Sequence, residues 1–240
     1  MQKRATQGNS RVSLLSHTPE PDRLVAAAAR LCYSSSSASN LLEGMGAEEE
    51  KRLICRLRQS GHLSPFEHAS FSFALEGISR TCSHQLVRHR IASFSQQSQR
   101  YVSMMEAQYV MPSSIRESEA ARSIFEEHMS RSGTLYRELV EMGIPKEDAR
   151  FVLPQAWETR MVVTMNAREL LHFFELRLCR RAQWEIREVA KKMLVLAREA
   201  APLAFEVAGP PCLLYGKCPE ALPCDRPYAH GDMEALLSEE

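Results

Sequence analysis

Apolar positions along most of this chain recur at the three- and four-residue spacing of helices, and switch clearly to alternation in two places. Pro21 opens a helix that runs through Ala26 to Leu31, and the hydroxyls of Ser34 to Ser39 predict a loop after it. A second helix is predicted from about Ala47 to Gln59, with Leu53, Ile54 and Leu57 on one face and Gly61 as its stop. The period then changes. From Ala69 to Glu76, Phe71, Phe73 and Leu75 alternate with small residues, the pattern of a half-buried strand. Ser79 is placed to cap a helix carrying Cys82 and Leu86 and ending near His89, so that Gln85, Arg88 and His89 share the face of its last turn. A polar loop covers Ser93 to Gln97, and Tyr101 to Val110 reads as extended. Helix dominates Ser114 to Met142, with Gly133 a candidate break. Pro145 begins a short helix holding Arg150. Alternation returns from Thr159 to Met165. Asn166 with Glu169 three residues on is a capping-box pattern opening a helix toward Leu178, and another amphipathic helix spans Ala182 to Ala200. The strands are too separated for a βαβ series, so the expected class is α+β, a mainly antiparallel sheet packed against several helices.

At 240 residues and 44% hydrophobic content, the expected organisation is a single domain over 1–240 with a Pro/Cys-rich tail at about 209–240. Thirty basic and thirty acidic residues cancel, which removes the global field that would draw the chain to nucleic acid or an anionic membrane. No apolar run approaches the roughly 20 residues needed to cross a bilayer, and Met1 to Arg4 lead into polar residues rather than a signal core, so a cytoplasmic protein is expected. Cys32, Cys55, Cys82 and Cys179 read as reduced core or near-core residues. Cys212, Cys218 and Cys224 follow no common zinc spacing, and no metal site is expected.

The chemistry concentrates in Arg88-His89-Arg90 and Ser98-Gln99-Arg100, with Ser93, Ser95, Gln96 and Gln97 between them. Permanently charged guanidiniums with planar donor forks, set among hydroxyls and amides, suit a phosphate, pyrophosphate or carboxylate. A solvated basic face is the alternative, and the density of amides and hydroxyls favours a ligand. No Gly-rich dinucleotide fingerprint and no Walker loop is present, so a phosphorylated ligand must be held by side chains. Four of the eight histidines fall between His62 and His89, yet H-E-x-x-H is absent, which disfavours a metallohydrolase. A nucleic-acid module using the same arginines with Phe94 and Tyr101 is opposed by the charge balance. Ser98 lacks a defined base partner for nucleophilic work, and Asn166 is either a helix cap alone or a cap whose neighbouring amides also face an anion. Arg168 and His172 are four apart on one helical face.

R-H-R, seven residues, S-x-R is the signature of the flavin-dependent thymidylate synthases, and the chain resembles that family well beyond it. The similarity takes in Arg30 to Ser34, Ser64 to His68, Gln85, Tyr101, Ala149 to Pro154, Thr159, Asn166 to Arg177 and Gln183 to Ile186. The resemblance implies methylation of dUMP to dTMP, with methylenetetrahydrofolate as one-carbon donor, FAD as hydride carrier and NADPH as reductant. It also implies a homotetramer with active sites at subunit interfaces. By the same resemblance, Gln85, Leu86, Val87, Arg88, Gln96, Gln97, Ser98, Gln99, Arg100, Arg150 and Arg177 contact dUMP. Ser64, Glu67, Arg88, His89, Arg90, Gln96, Asn166, Ala167, Arg168 and His172 contact FAD. Arg177 is assigned the activation of uracil, because negative charge must develop around N3 and O4. Gln96, Gln97 and Arg181 depart from the residues of some relatives, Arg181 adding a charge near the expected flavin pocket.

Overall fold

The structure, a computed structural model, describes residues 6–7, 10–105 and 108–238; residues 1–4, read above for a signal core, lie outside them. In chain order the elements are β1 (Thr6–Gln7), β2 (Arg11–His17), α1 (Pro21–Leu31), α2 (Ala38–Gly44), α3 (Ala47–Ser60), β3 (Ser70–Ser79), α4 (Arg80–Leu86), β4 (Ala92–Gln96), β5 (Val110–Met111), α5 (Ser113–Arg116), α6 (Glu119–Glu141), α7 (Lys146–Ala149), β6 (Glu158–Asn166), α8 (Ala167–Arg177), α9 (Trp184–Ala200), α10 (Pro211–Tyr215) and α11 (Met233–Ser238). Single 3-10 turns cover Ser64–His68 and Arg150–Val152. One four-stranded antiparallel sheet has the order β2-β3-β6-β4, and β1 pairs with β5 in parallel, Thr6 opposite Val110. The class is α+β, as the periodicity predicts.

Contacts divide the chain into two compact units. The first takes residues up to Arg11, Ala74–Arg88 and Phe94–Val162. Its core gathers Met111, Met129, Tyr136 and Trp157, and Tyr136 Oη accepts the Met104 amide at 3.3 Å. The second takes Val12–Phe73, His89–Ser93 and residues from Val163 onward. Here Phe205 meets Phe71 and Phe174 edge-on, with centroids 5.5 and 5.8 Å apart.

The two alternating segments form β3 and β6, with Phe71, Phe73 and Leu75 buried in one and Met161, Val163 and Met165 in the other. Gly77 adopts φ 68°, and beyond it Ile78 and Ser79 are buried in succession, so the strict alternation ends there. Helix α3 stops where expected, on Gly61 at φ 70°. Of its expected apolar face, Ile54 alone is buried.

Several expectations are corrected. Ser34 to Ser39 is not wholly a loop: Ser37 Oγ accepts the Asn40 amide at 3.2 Å and starts α2, a helix with no buried residue and hence no hydrophobic signal. The polar run before Gln97 is strand β4, its backbone paired into the sheet although none of its side chains is buried. Tyr101 to Met105 is irregular with isolated turn residues, only Tyr109 and Val110 pair as extended backbone, and 106–107 lie outside the described residues. Helix α6 runs unbroken through Gly133, which is buried; the interruption comes at Ser118, whose side chain caps α6. Helix α4 ends at Leu86, so Arg88 lies beyond it in a turn and His89 just after that turn, rather than on its last face. Arg150 starts the 3-10 turn after α7 instead of sitting within the helix. Cys32 and Cys55 are exposed, Cys32 because it lies just past the end of α1 and Cys55 because it faces a cavity.

Candidate active site

In the first unit, Ser79 Oγ accepts the Cys82 amide at 3.0 Å and starts α4, which carries the chain toward the basic motif. Gln85 is half-buried, Leu86 is fully buried, and Val87 and Arg88 are exposed where the helix ends. Leu86 therefore packs and Arg88 is presented outward. At the end of β4, Gln96 Nε2 donates to Ser83 Oγ at 2.9 Å and Thr159 Oγ1 at 3.1 Å, which fixes the amide. The Gln97 amide donates to Arg160 O at 2.9 Å. Ser98 Oγ accepts the Arg100 amide at 3.2 Å, so the hydroxyl oxygen shapes the turn that sets Arg100. Gln99 Nε2 is buried without a hydrogen-bond partner.

Glu147 organises the cations. Its Oε2 accepts from Arg100 Nε at 2.7 Å and lies 2.6 Å from Nη2, while its carbonyl accepts from Arg150 Nε at 3.0 Å. Arg80, which the periodicity marks only as the first residue of a helix, is held below the usual arginine range by burial and then by the neighbouring Arg150. Two guanidiniums placed so that one lowers the other make a local field suited to an anion. The sequence offers no signal for the roles of Arg80 and Glu147, because nothing local tells which helix-end charge turns inward.

In the second unit, Asn166 closes β6 and its Oδ1 accepts the Glu169 amide at 2.9 Å, starting α8. The Ala167 amide donates to Ala69 O at 2.8 Å, and the residue is buried. Arg168 ion-pairs with Glu67 on the 3-10 turn that also carries Ser64. A cavity of about 990 Å³ is lined by Glu67, Asn166, Arg168 and His172, and by the apolar Leu63, Ile91 and Leu171. Glu169 and Arg58 also line it. Arg58, in the last turn of α3, donates to Val207 O and is pushed down chiefly by burial. Ser64, His89, Arg90 and Ala167 are outside this lining: Ser64 and Arg90 are exposed, and His89 and Ala167 are buried. Arg181 does not line the cavity either; it pairs with Glu220 at 3.2 Å and donates to Leu222 O in the tail.

His89 sits between two charged residues of α8. Its Nδ1 lies 3.1 Å from Glu169 Oε1, and Arg177 Nε lies 3.0 Å from its Nε2. Burial pushes the imidazole down to about 4, and Arg177 and His172 push the same way, so the ring is neutral at physiological pH. The Glu169 carboxyl is raised by burial and drawn back by His172. Among the described residues, no group of three or more His, Cys, Asp or Glu is arranged to hold a metal ion, and no helix is long and apolar enough to cross a membrane.

The cavity lies at the upper end of the roughly 300–1,000 Å³ typical of small-molecule sites. It combines apolar side chains, the guanidiniums of Arg58 and Arg168, the carboxylates of Glu67, Glu169, Glu175 and Glu206, and the N-terminal turn of α8, a mixed lining that suits a large ligand with both apolar and charged parts.

Residues 13–203 match the family model described as thymidylate synthase complementing protein. The chain is 53% identical over 212 residues to the flavin-dependent thymidylate synthase of Geobacter sulfurreducens, covering 88% of this chain and 91% of that one. It is 51% identical over 223 residues to the enzyme of the same name from Nitratidesulfovibrio vulgaris, with the same coverage. The crystal structure of the UMP/dUMP methylase PolB from Streptomyces cacaoi, bound with 5-Br dUMP, superposes with a TM-score of 0.75 at 25% identity, covering 86% of this chain and 96% of that one.

Proposed function

Since the chain belongs to the flavin-dependent thymidylate synthases, we propose how its own residues share the work of that reaction. The reaction is the reductive methylation of dUMP to dTMP, and the cofactor is FAD. Methylenetetrahydrofolate as one-carbon donor, NADPH as reductant, a homotetramer with active sites completed where subunits meet, and a cytoplasmic location are the further parts of the proposal. The family match over residues 13–203 is the observation that carries it.

The residues that would hold FAD are Glu67, Asn166, Arg168 and His172 around the cavity, with Ser64, Arg88, His89, Arg90, Gln96 and Ala167 in the same set. Bound there, the flavin supplies two-electron hydride chemistry. Arg168 and the first turn of α8 supply positive potential for the pyrophosphate, and Leu63, Ile91 and Leu171 offer apolar contact to a ring.

A nucleoside monophosphate is a dianion, and Arg88, Arg100 and Arg150 are assigned to it. Arg100 would exchange Glu147 for phosphate at small cost, since both side chains are about half-exposed and solvent screens such a pair. Ser98 donates a hydroxyl to the phosphate, and Gln85, Gln96, Gln97 and Gln99 surround the nucleotide with amides, while Leu86 and Val87 contribute packing and backbone. Arg177 stabilises charge at N3 and O4 as C5 of uracil becomes nucleophilic, an assignment supported by a guanidinium held from one side by a neutral ring.

The visible spectrum of the purified protein, loaded with FAD and washed, tests the reading. A flavin band that releases FAD in amounts stoichiometric with chain on denaturation is expected. A colourless protein after loading would overturn it.

A further inference from the structure

In the sequence Glu169 looks like the reciprocal acid of a capping box, since it stands three residues after Asn166. Its backbone fits that description: the amide donates to Asn166 Oδ1 at 2.9 Å. Its side chain does something else. The carboxylate is turned inward, the residue only 6% exposed, and its Oε1 meets His89 Nδ1 at 3.1 Å. His89 is itself 4% exposed, wedged edge-on against the Phe173 ring with centroids 4.9 Å apart. Its other nitrogen, Nε2, lies 3.0 Å from Arg177 Nε.

The proton inventory of these three groups has one solution. A guanidinium carries only donors and stays protonated, so Nε2 of His89 must be the acceptor at the Arg177 contact. The ring proton is then on Nδ1, opposite a carboxylate oxygen that accepts it. A doubly protonated ring would place its own N–H against that of Arg177, and an Nε2–H tautomer would do the same while leaving two acceptors facing each other at Glu169. Only the Nδ1–H form satisfies both neighbours.

We infer that Glu169 is a positioning residue for Arg177: its carboxylate holds His89 in the Nδ1–H tautomer, and the lone pair left on Nε2 fixes the Nε edge of the Arg177 guanidinium. The inference rests on the reading of Arg177 as the group that faces uracil. Glu169 and Arg177 lie eight residues apart on α8, about two turns at roughly 3.6 residues per turn. His89 bridges that interval from another segment, which turns one side of the helix into a rigid mount. A lysine could not use it, having no second planar edge to register against the ring.

The test is a double-mutant cycle on the FAD-loaded enzyme, joined to a spectroscopic reading of the ring. Glu169→Met removes the acceptor at similar length, and Glu169→Gln keeps an oxygen there. Glu169→Met is expected to lower turnover to thymidylate about tenfold, the order seen when a group that orients a ligand-bearing residue is lost. With each variant saturated with FAD, kcat should change more than the KM for dUMP, and Glu169→Gln should recover most of the loss. In an Arg177→Ala background, Glu169→Met should change turnover less than about twofold, because a residue acting only through Arg177 has nothing left to act on. Equal losses in both backgrounds would overturn the inference. Independently, nitrogen-15 spectra of histidine-labelled wild type, with His89→Gln identifying the signal, should show His89 protonated at Nδ1; protonation at Nε2 would overturn the inference even if Glu169→Met fails to fold. A wild type that makes no thymidylate would bring down the proposed function, and the tautomer would then decide the inference by itself.

Discussion

Arg100 and Arg177 carry the same charge in opposite settings. Arg100 is about half-exposed and paired with a carboxylate that an incoming anion can replace, whereas Arg177 is held against a buried, neutral imidazole. The first setting suits binding and the second suits stabilising charge that develops during reaction. Arg177→Ala is therefore expected to retain FAD and the unfolding midpoint while thymidylate formation falls by about 10²-fold or more, the usual cost of one preorganised donor; turnover near that of wild type would contradict the role. His89 also sets a pH dependence. Its folded-state value lies near 4 against an ordinary 6.5, lowered by burial, Arg177 and His172. The unfolded chain takes up that proton first as pH falls, so the stability owed to a neutral His89 is complete above 6.5, declines below it and is gone near 4. Glu169, raised by burial, works in the opposite sense at the acid end. Urea midpoints of wild type and His89→Gln, measured from pH 7 downward, should converge as the pH drops, and parallel curves would refute this. The arginines were legible because their charge is permanent and their spacing local. The roles of Glu169, Glu147 and Arg80 were not, because each is decided by a neighbour distant in sequence.

Helix caps were the most readable elements. Ser79, Asn166 and Gly61 stand where the sequence puts them, since a cap is a short-range bargain between one side chain and the next turn. Strand β4 and helix α2 share a reason for giving no periodic signal: neither buries a residue, so hydrophobic periodicity reports nothing about them. Helix α4 ends a few residues before the position its sequence predicts, and that shift decides whether Arg88 and His89 share a helical face or diverge, one exposed and one buried. Asn166 carries two assignments that substitution can separate. Asn166→Ala should lose about 1 kcal/mol of stability with the cap and also weaken FAD. Asn166→Ser should restore the cap while leaving FAD binding impaired. Equal recovery of both in thermal unfolding and FAD titration would show that the side chain acts as a cap alone.

On the scale of the whole chain, closure depends on contacts no local pattern announces. Asp22, near the start of α1, accepts the amides of Leu203 at 2.8 Å and Ala204 at 2.9 Å, 181 and 182 residues away. Burial raises its carboxyl and the two amides draw it back. Asp22→Ala should cost about 1–3 kcal/mol, because a buried and a part-buried donor lose their acceptor, and an unchanged melting temperature would contradict that. The α+β class was legible from periodicity, and an anion site from the clustering of the arginines; the cavity beside α8 was not, since its wall also takes in Arg58, Tyr215 and His230 from α3 and the tail. The central claim is that these residues serve one reaction, the flavin-dependent conversion of dUMP to dTMP. The most direct test is an anaerobic assay for dTMP with purified protein and dUMP, methylenetetrahydrofolate, FAD and NADPH, each omitted in turn. Product with the complete mixture and its loss on every omission, after bound FAD has been stripped, is the predicted result; no dTMP from the complete mixture, or undiminished dTMP without FAD, would contradict the account.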